Sequence, residues 1–300
     1  MKGTSEEKRM LFIYNPTSGR GRIKSSLIDL IDIFVKSGYR VEVYPTQCSG
    51  DAKRAVIRRD DGFSLIVCCG GDGTLDEVVT GMMECRDRIP IGYIPAGSTN
   101  DFASSLGIPK SMIKAAYTAV SGNAFPCDIG RFNDDVFVYV AAFGMFTDVS
   151  YDTDQSLKNT LGHSAYILEG AKRLGEVVNY HLKASFNAMV IEGDFMFGMV
   201  TNSKSVGGFK GITGPDVDLS DGEFEVLLVR TMKTPLEFQE VLRAFFLGKG
   251  DARYVYTFKT SHMIIETDTE VAWTLDGEYG GSVKKAEITN LKSAVEMIVP

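Results

Sequence analysis

Three glycine-rich turns and two groups of carboxylates hold the residue types and spacings in this chain that could do chemistry. Gly70-Gly71-Asp72-Gly73-Thr74-Leu75 follows the apolar run 64–69 and precedes a stretch of helical period. A strand, a glycine turn and a helix N-terminus gather backbone N–H groups and the positive end of the helix dipole at one point, and that point suits a phosphate. Asp72 is itself anionic. It suits a phosphate only with a magnesium ion between them, because hard divalent cations take oxygen ligands. The plainer alternative is a tight turn in which Asp72 or Thr74 caps the helix. Against it stands a second turn of the same kind, Asn15-Pro16-Thr17-Ser18-Gly19, directly after the apolar run 10–14. A third, Pro95-Ala96-Gly97-Ser98-Thr99-Asn100-Asp101, follows the run 91–94. There Ser98 offers a hydroxyl to phosphate and Asp101 can join Asp72 around magnesium, while Asn100 or Ser98 can equally cap a helix starting at Asp101.

The second set of candidates lies far along the chain. Leu275-Asp276-Gly277-Glu278 puts two carboxylates around a glycine after a strand-like run. Either one can accept a proton from a hydroxyl under attack, and an Asp-Gly hairpin turn is the competing reading. Asp216-Val217-Asp218-Leu219-Ser220-Asp221-Gly222 crowds three carboxylates into a turn-like loop, which by itself is most simply a polar loop. Residues 204–210, with Lys204 and two glycines, read as a strap near an opening or as a plain loop. His163, His181 and His262 are scattered and read as structural. Phe143, Phe146, Tyr151 and the apolar stretch 166–174 can line an acyl-chain cleft, or simply belong to the core.

The elements that must position these residues follow from periodicity. Strands are expected at 10–14, 40–44, 64–69 and 91–94, with helices at 23–37, 51–59 and 74–83 between them, and Gly38 as a helix stop. Such alternation builds βαβ units and a parallel sheet, in which the ligand crevice lies at the carboxyl ends of the strands. All three glycine turns would then line one crevice. Beyond residue 126 the pattern changes to short strands at 128–132, 135–143, 181–191, 195–202, 223–230, 254–258, 262–267, 272–275 and 283–288, with helices only at 161–178 and 235–247. This favours an antiparallel β-sandwich. The expected division is a nucleotide-binding α/β domain at 9–125, which residues 290–300 can complete, and a β-rich substrate domain at 126–289.

Composition narrows the function classes. The 300 residues are 44% hydrophobic and 24% charged, which suits globular domains. A formal net charge of −7 argues against coating nucleic acid, which needs clustered Lys and Arg. No apolar run approaches the roughly 20 residues of a membrane span, so membrane contact would be peripheral. The polar N-terminus lacks a signal-peptide core and the five cysteines have no metal-site spacing, which points to a cytoplasmic protein with reduced thiols.

Taken in order, Asn15-Pro-Thr-Ser-Gly19, Gly70-Gly-Asp-Gly-Thr74, Gly97-Ser-Thr-Asn-Asp-Phe-Ala103 and Leu275-Asp-Gly-Glu278 resemble bacterial diacylglycerol kinases, a family similar to the sphingosine and ceramide kinases, over residues 11–299. The resemblance implies an N-terminal α/β domain like those of NAD kinase and phosphofructokinase, with ATP and a lipid meeting between the domains at the inner face of the membrane. It implies ATP contacts from Asn15, Pro16, Thr17, Ser18, Gly19, Thr46, Gly70, Gly71, Asp72, Gly73, Thr74, Leu75 and Ser98. It also implies a structural magnesium site at Asp216, the Leu219 carbonyl and Asp221, and a proton acceptor at Glu278 or Asp276. Asp72 and Asp101 would act with the magnesium of ATP. The lipid is left open among several hydroxyl-bearing classes, and a homodimer is allowed. The chain departs from the family pattern at Asp76, where asparagine is common, at Thr80, and at Ser98. An extra negative charge at Asp76 near phosphates is costly unless a cation offsets it or the side chain points away. An NAD kinase-like enzyme and a non-catalytic nucleotide binder are the alternative readings.

Overall fold

The structure, a computed structural model, describes residues 8–144, 179–210, 214, 216–232, 234, 237 and 254–300. The expected helix at 161–178, Phe146, Tyr151, His163 and the stretch 166–174 lie outside them, as does the expected helix at 235–247 apart from Glu237.

The first part alternates as its periodicity demands: β1 (Lys8–Tyr14), α1 (Ser18–Gly21), α2 (Ile23–Lys36), β2 (Tyr39–Pro45), α3 (Asp51–Ile57), β3 (Phe63–Gly70), α4 (Asp72–Glu84), β4 (Ile91–Pro95), α5 (Asp101–Ser105) and α6 (Met112–Ser121). Strand β1 pairs in parallel with both β2 and β3, and β3 with β4. From Leu65 to Gly70, β3 is buried without interruption, as an apolar strand covered on both faces must be. β2 sits at the edge and alternates between half-buried and exposed. In α2 the buried stripe is Ile23, Leu30, Ile33 and Phe34. Ile28 and Val35, which fit the same apolar spacing, face solvent at 82% and 56% exposure.

The second part contains β5 (Asn123–Phe132), β6 (Asp135–Phe137), β7 (Val140–Gly144), β8 (Tyr180–Phe186), β9 (Met189–Thr201), β10 (Ser205–Val206), β11 (Phe209–Lys210), β12 (Phe224–Arg230), β13 (Val255–Thr260), β14 (His262–Leu275) and β15 (Glu278–Val299). The expected break near 192–194 is absent. Instead the chain reverses at Asn187-Ala188, both at positive φ (45° and 59°), as in a two-residue hairpin turn. The expected strands at 262–267 and 272–275 are one strand, β14.

A sandwich of separate sheets is not what forms. The first half of β9 pairs with β8 and its second half with β7 and β12, while β14 pairs with β8 near its start and with β7 near its end. Strands β7, β14, β8 and β9 therefore close a ring of pairings around a core containing Trp273, Phe143, Phe132, Phe195 and Phe224. The 22-residue strand β15 leaves this region, pairs antiparallel with β14 and β5, and ends parallel to β4. It makes the sheet continuous through both parts.

Candidate active site

The three glycine turns meet at the carboxyl ends of β1, β3 and β4. A Cβ on Gly19 would collide with the Ala96 carbonyl, and Gly19 has a φ of +56°, so only glycine brings the first turn this close to the end of β4. A Cβ on Gly97 would stand 2.7 Å from Gly71 Cα, so the second and third turns touch backbone to backbone. Polar bonds lock the arrangement. Asn15 Nδ2 reaches Thr74 Oγ1 (3.4 Å), Asn15 Oδ1 accepts from the Thr17 amide (2.9 Å) and hydroxyl (2.8 Å), and Tyr93 Oη donates to the Gly70 carbonyl (3.2 Å). Asn100 does not cap α5 with its side chain. Sitting at φ 54°, it closes the third turn on itself by accepting from the Gly97 N–H (2.9 Å) and donating to the Gly97 carbonyl (2.8 Å). Thr17, Ser98 and Thr99 are exposed on this surface, and Pro16, Ser18, Gly71 and Gly73 are half-buried. Thr46, just past β2, donates its N–H to Tyr14 O (2.9 Å) and is 9% exposed. Leu75 belongs to the core at 1% exposure, and its N–H bonds to Gly71 O (3.2 Å) within the turn.

Asp72 opens α4. Its Oδ2 accepts the Asp101 N–H (3.3 Å), whereas its Oδ1 is buried without a hydrogen-bond partner. Burial, with Asp101 nearby, pushes the carboxyl up to about 6. Asp101 is 2% exposed and held from the other side: its Oδ1 accepts the Ser205 hydroxyl (2.5 Å) and the Gly208 N–H (3.1 Å). The strap of β10 and β11 is thus tied to α5, and Ser203 bonded to Ser105 (2.8 Å) repeats the tie. A magnesium ion carried in by a nucleotide fits this donor set, because Asp72 Oδ1 offers one free carboxylate oxygen to a cation. Among the described residues no group of three His, Cys, Asp or Glu side chains would hold a metal unaided.

The carboxylates around Gly277 have separate environments. Asp276 (φ 51°) and Gly277 (φ 89°) form the two-residue turn between β14 and β15, so the hairpin reading and the carboxylate reading hold together. Asp276 is 7% exposed. Its Oδ2 accepts the Val138 N–H (2.5 Å) and its Oδ1 those of Tyr139 and Val140 (2.9 Å each). Burial pushes it up to about 6 although these three donors pull the other way. Glu278, one residue past the turn, is exposed. Its Oε1 lies 3.5 Å from where a Cβ on Gly73 would stand, over the first turn of α4. The chain bend therefore delivers Glu278, not Asp276, to the glycine turns. Asp76, marked in the sequence only as an extra charge near the phosphates, turns out to lie within hydrogen-bonding reach of Asp276, and burial beside that second acid raises it well above the ordinary carboxylate value.

The loop at 216–221 is filled from within. Lys259 Nζ lies 2.7 Å from Asp216 O, 3.0 Å from Asp221 Oδ2 and 3.2 Å from Glu225 Oε1. The Leu219 carbonyl already accepts the Asp128 N–H (2.8 Å), and Asp216 is exposed. A divalent ion beside that ammonium would be repelled, so the loop as built does not fit the magnesium site that the resemblance implies. Asp218 caps its own turn through the Ser220 amide (3.0 Å) and hydroxyl (2.8 Å). No sequence signal marked Lys259, which comes from β13, 38 residues beyond Asp221.

Comparison with known proteins converges on one family. The profile of the diacylglycerol kinase catalytic domain matches residues 9–132. The chain is 36% identical over 300 residues to the diacylglycerol kinase of Bacillus subtilis (strain 168), covering 98% of this chain and 97% of that protein. It is 32% identical to the diacylglycerol kinase of Staphylococcus carnosus (strain TM300), covering 98% and 95%. A solved diacylglycerol kinase structure from Bacillus anthracis strain Sterne superposes with a TM-score of 0.78 at 23% identity over 99% of this chain and 98% of that one. A further solved chain from the same organism reaches 0.83, also at 23% identity, over 100% and 97%.

Proposed function

The chain belongs to the diacylglycerol kinase family, and from that premise we propose the substrate, the residues and the proton route of its reaction. It is an ATP-dependent lipid kinase. The lipid is diacylglycerol or a close relative bearing a free hydroxyl. The observation that carries the reading is the exposed Glu278 carboxylate held over Gly73, at the mouth of the Gly70–Gly73 turn.

ATP lies along the carboxyl ends of β1 to β4, its phosphates cradled by backbone N–H groups of the Asn15–Gly19 and Gly70–Leu75 turns, with Thr46 and Ser98 at the edges. Magnesium, when bound with ATP, neutralises phosphate charge, and Asp72 is the residue placed to hold it. Asp101, engaged by Ser205 and Gly208, keeps the strap beside Asp72 rather than serving as a free ligand. The lipid hydroxyl oxygen attacks the γ-phosphorus, the bond to ADP breaks, and Glu278 accepts the hydroxyl proton. Asp276 is a poor base, because three backbone N–H groups and Asp76 occupy its oxygens. A division near residue 126 into a nucleotide part and a lipid part is supported by the second core, which lies wholly beyond it, although the first core crosses that point and takes in Cys127, Ile129, Val138 and Leu227. The parallel pairing of β1 to β4 supports the NAD kinase-like architecture of the first. Among the described residues no helix is long and apolar enough to cross a membrane, and peripheral contact brings the site to its lipid.

The test is transfer from labelled ATP, with magnesium, to diacylglycerol in mixed micelles and to NAD. Label should enter the lipid, and Glu278→Gln should lower kcat by about 10²–10⁴-fold, the usual worth of a positioned general base. Label in NAD alone overturns the substrate, and an undiminished Glu278→Gln overturns the base.

A further inference from the structure

The first turn of α4 meets the β14–β15 turn at two points on one helix face, since Gly73 and Asp76 are three residues apart. Gly73 lies under the Glu278 carboxylate, and Asp76 is hydrogen-bonded to Asp276. Both oxygens of Asp276 already accept backbone N–H groups, from Val138 on one and from Tyr139 and Val140 on the other. Three such donors favour the anionic form of Asp276, and when two carboxyl groups bond to one another one of them must supply a proton. The proton of the pair therefore resides on Asp76.

We propose that Asp76 is a positioning residue for phosphoryl transfer: as a neutral acid it donates to Asp276, pins the 276–278 turn against α4, and so holds Glu278 at the mouth of the glycine turns. The inference rests on the reading of Glu278 as proton acceptor. The groups facing Asp76 are Asp276 and Glu278 from the β14–β15 turn and Asp135 from the start of β6; Tyr139, between β6 and β7, also lies near and donates its hydroxyl to Asp276 O (3.4 Å). The three carboxylates each disfavour a second negative charge on Asp76, whereas the Tyr139 phenol, pushed up by burial, stays neutral. Burial acts in the same direction. The link has a limit that follows from its chemistry. An amide at this place would donate at any pH, whereas a carboxyl donates only while protonated. Once it ionises, two carboxylates face each other and the turn is pushed off α4.

The experiment compares the full chain with Asp76→Asn and Asp76→Ala in kcat and KM for ATP between pH 6 and 9, and in melting temperature over the same range. Wild type should lose kcat on the alkaline side with KM for ATP little changed, and Asp76→Asn should stay level. Asp76→Ala should lower kcat about tenfold at every pH. The wild-type melting temperature should fall relative to Asp76→Asn as pH rises, because the native state keeps a proton that the unfolded chain releases near pH 4. Superimposed kcat profiles for wild type and Asp76→Asn, or an unchanged kcat in Asp76→Ala, overturn the positioning role. Parallel melting curves overturn the shared proton. Full activity in Glu278→Gln instead overturns the reading beneath the proposal and removes the positioning role with it, while the melting comparison, which needs no catalysis, still decides where the proton sits.

Discussion

Asp276 and Glu278 are two residues apart and chemically alike, yet one is buried and the other exposed, which is the basis of the different roles proposed for them. Asp276 is an anchor: three N–H groups of the 138–140 segment end on its carboxylate. Removing it strands three buried donors at about 1 kcal/mol or more apiece. Asp276→Ala should thus cost about 3 kcal/mol or more in urea denaturation, and lose activity through instability. Glu278→Gln should leave the urea midpoint where it was and lose activity alone. Equal destabilisation by the two variants would contradict this division of labour.

At the scale of elements, the question is how loops far apart in sequence are held. Glu77 on α4 accepts the N–H groups of Gly50 (2.7 Å) and Ala52 (3.0 Å), so one helix closes the N-terminus of α3 beside it. Asp128 on β5 accepts from Gly222 (2.6 Å) and Ser293 (2.7 Å), joining the 216–222 loop to the bend in β15. Lys259 completes that loop with an ammonium. Without nucleotide, the wild-type chain should bind no manganese at this loop when free metal is counted by electron paramagnetic resonance. Lys259→Met removes the resident cation and leaves the Asp221 and Glu225 carboxylates facing the Asp216 carbonyl, so it should gain a manganese-dependent rise in melting temperature. A bound ion in wild type that disappears in Asp221→Asn would show that the ammonium yields to metal.

Across the whole molecule, buried acids shape the response to pH. Burial raises Asp72 and Asp276 to about 6 and Glu225 to about 7. A folded-state value above the unfolded value of about 4 means that the native state binds more protons between the two. The stability these groups contribute is complete below pH 4 and is lost as pH climbs through 6 to 7. Groups held low by partners, such as Asp51 and Asp218, lose theirs at more acid pH. The melting temperature should therefore be higher at pH 5.5 than at pH 7.5, and Asp72→Asn should narrow the gap. A curve that rises across this window would refute it. The effect reaches the whole fold because β15 runs through both cores and pairs with β14, β5 and β4.

The alternation of β1 to β4 with their helices was legible because each element satisfies its backbone locally and needs only its own period of apolar residues. The glycine turns were legible for the same reason: the need for positive φ or close approach is written in the residue itself, as at Gly19 and Gly97. In the second part the same rules misplaced the Asn187-Ala188 turn and divided β14, because whether a strand ends or bends depends on which partner it meets next. The sequence by itself thus determined the βαβ units, the phosphate-type turns and the candidate carboxylates. Only the tertiary structure decided which carboxylate faces the turns, that Asp76 pairs with Asp276, and that Lys259 fills the acidic loop. These are contacts between residues tens to hundreds of positions apart, brought together by sheet closure, and no local propensity encodes which distant partner a charge will meet.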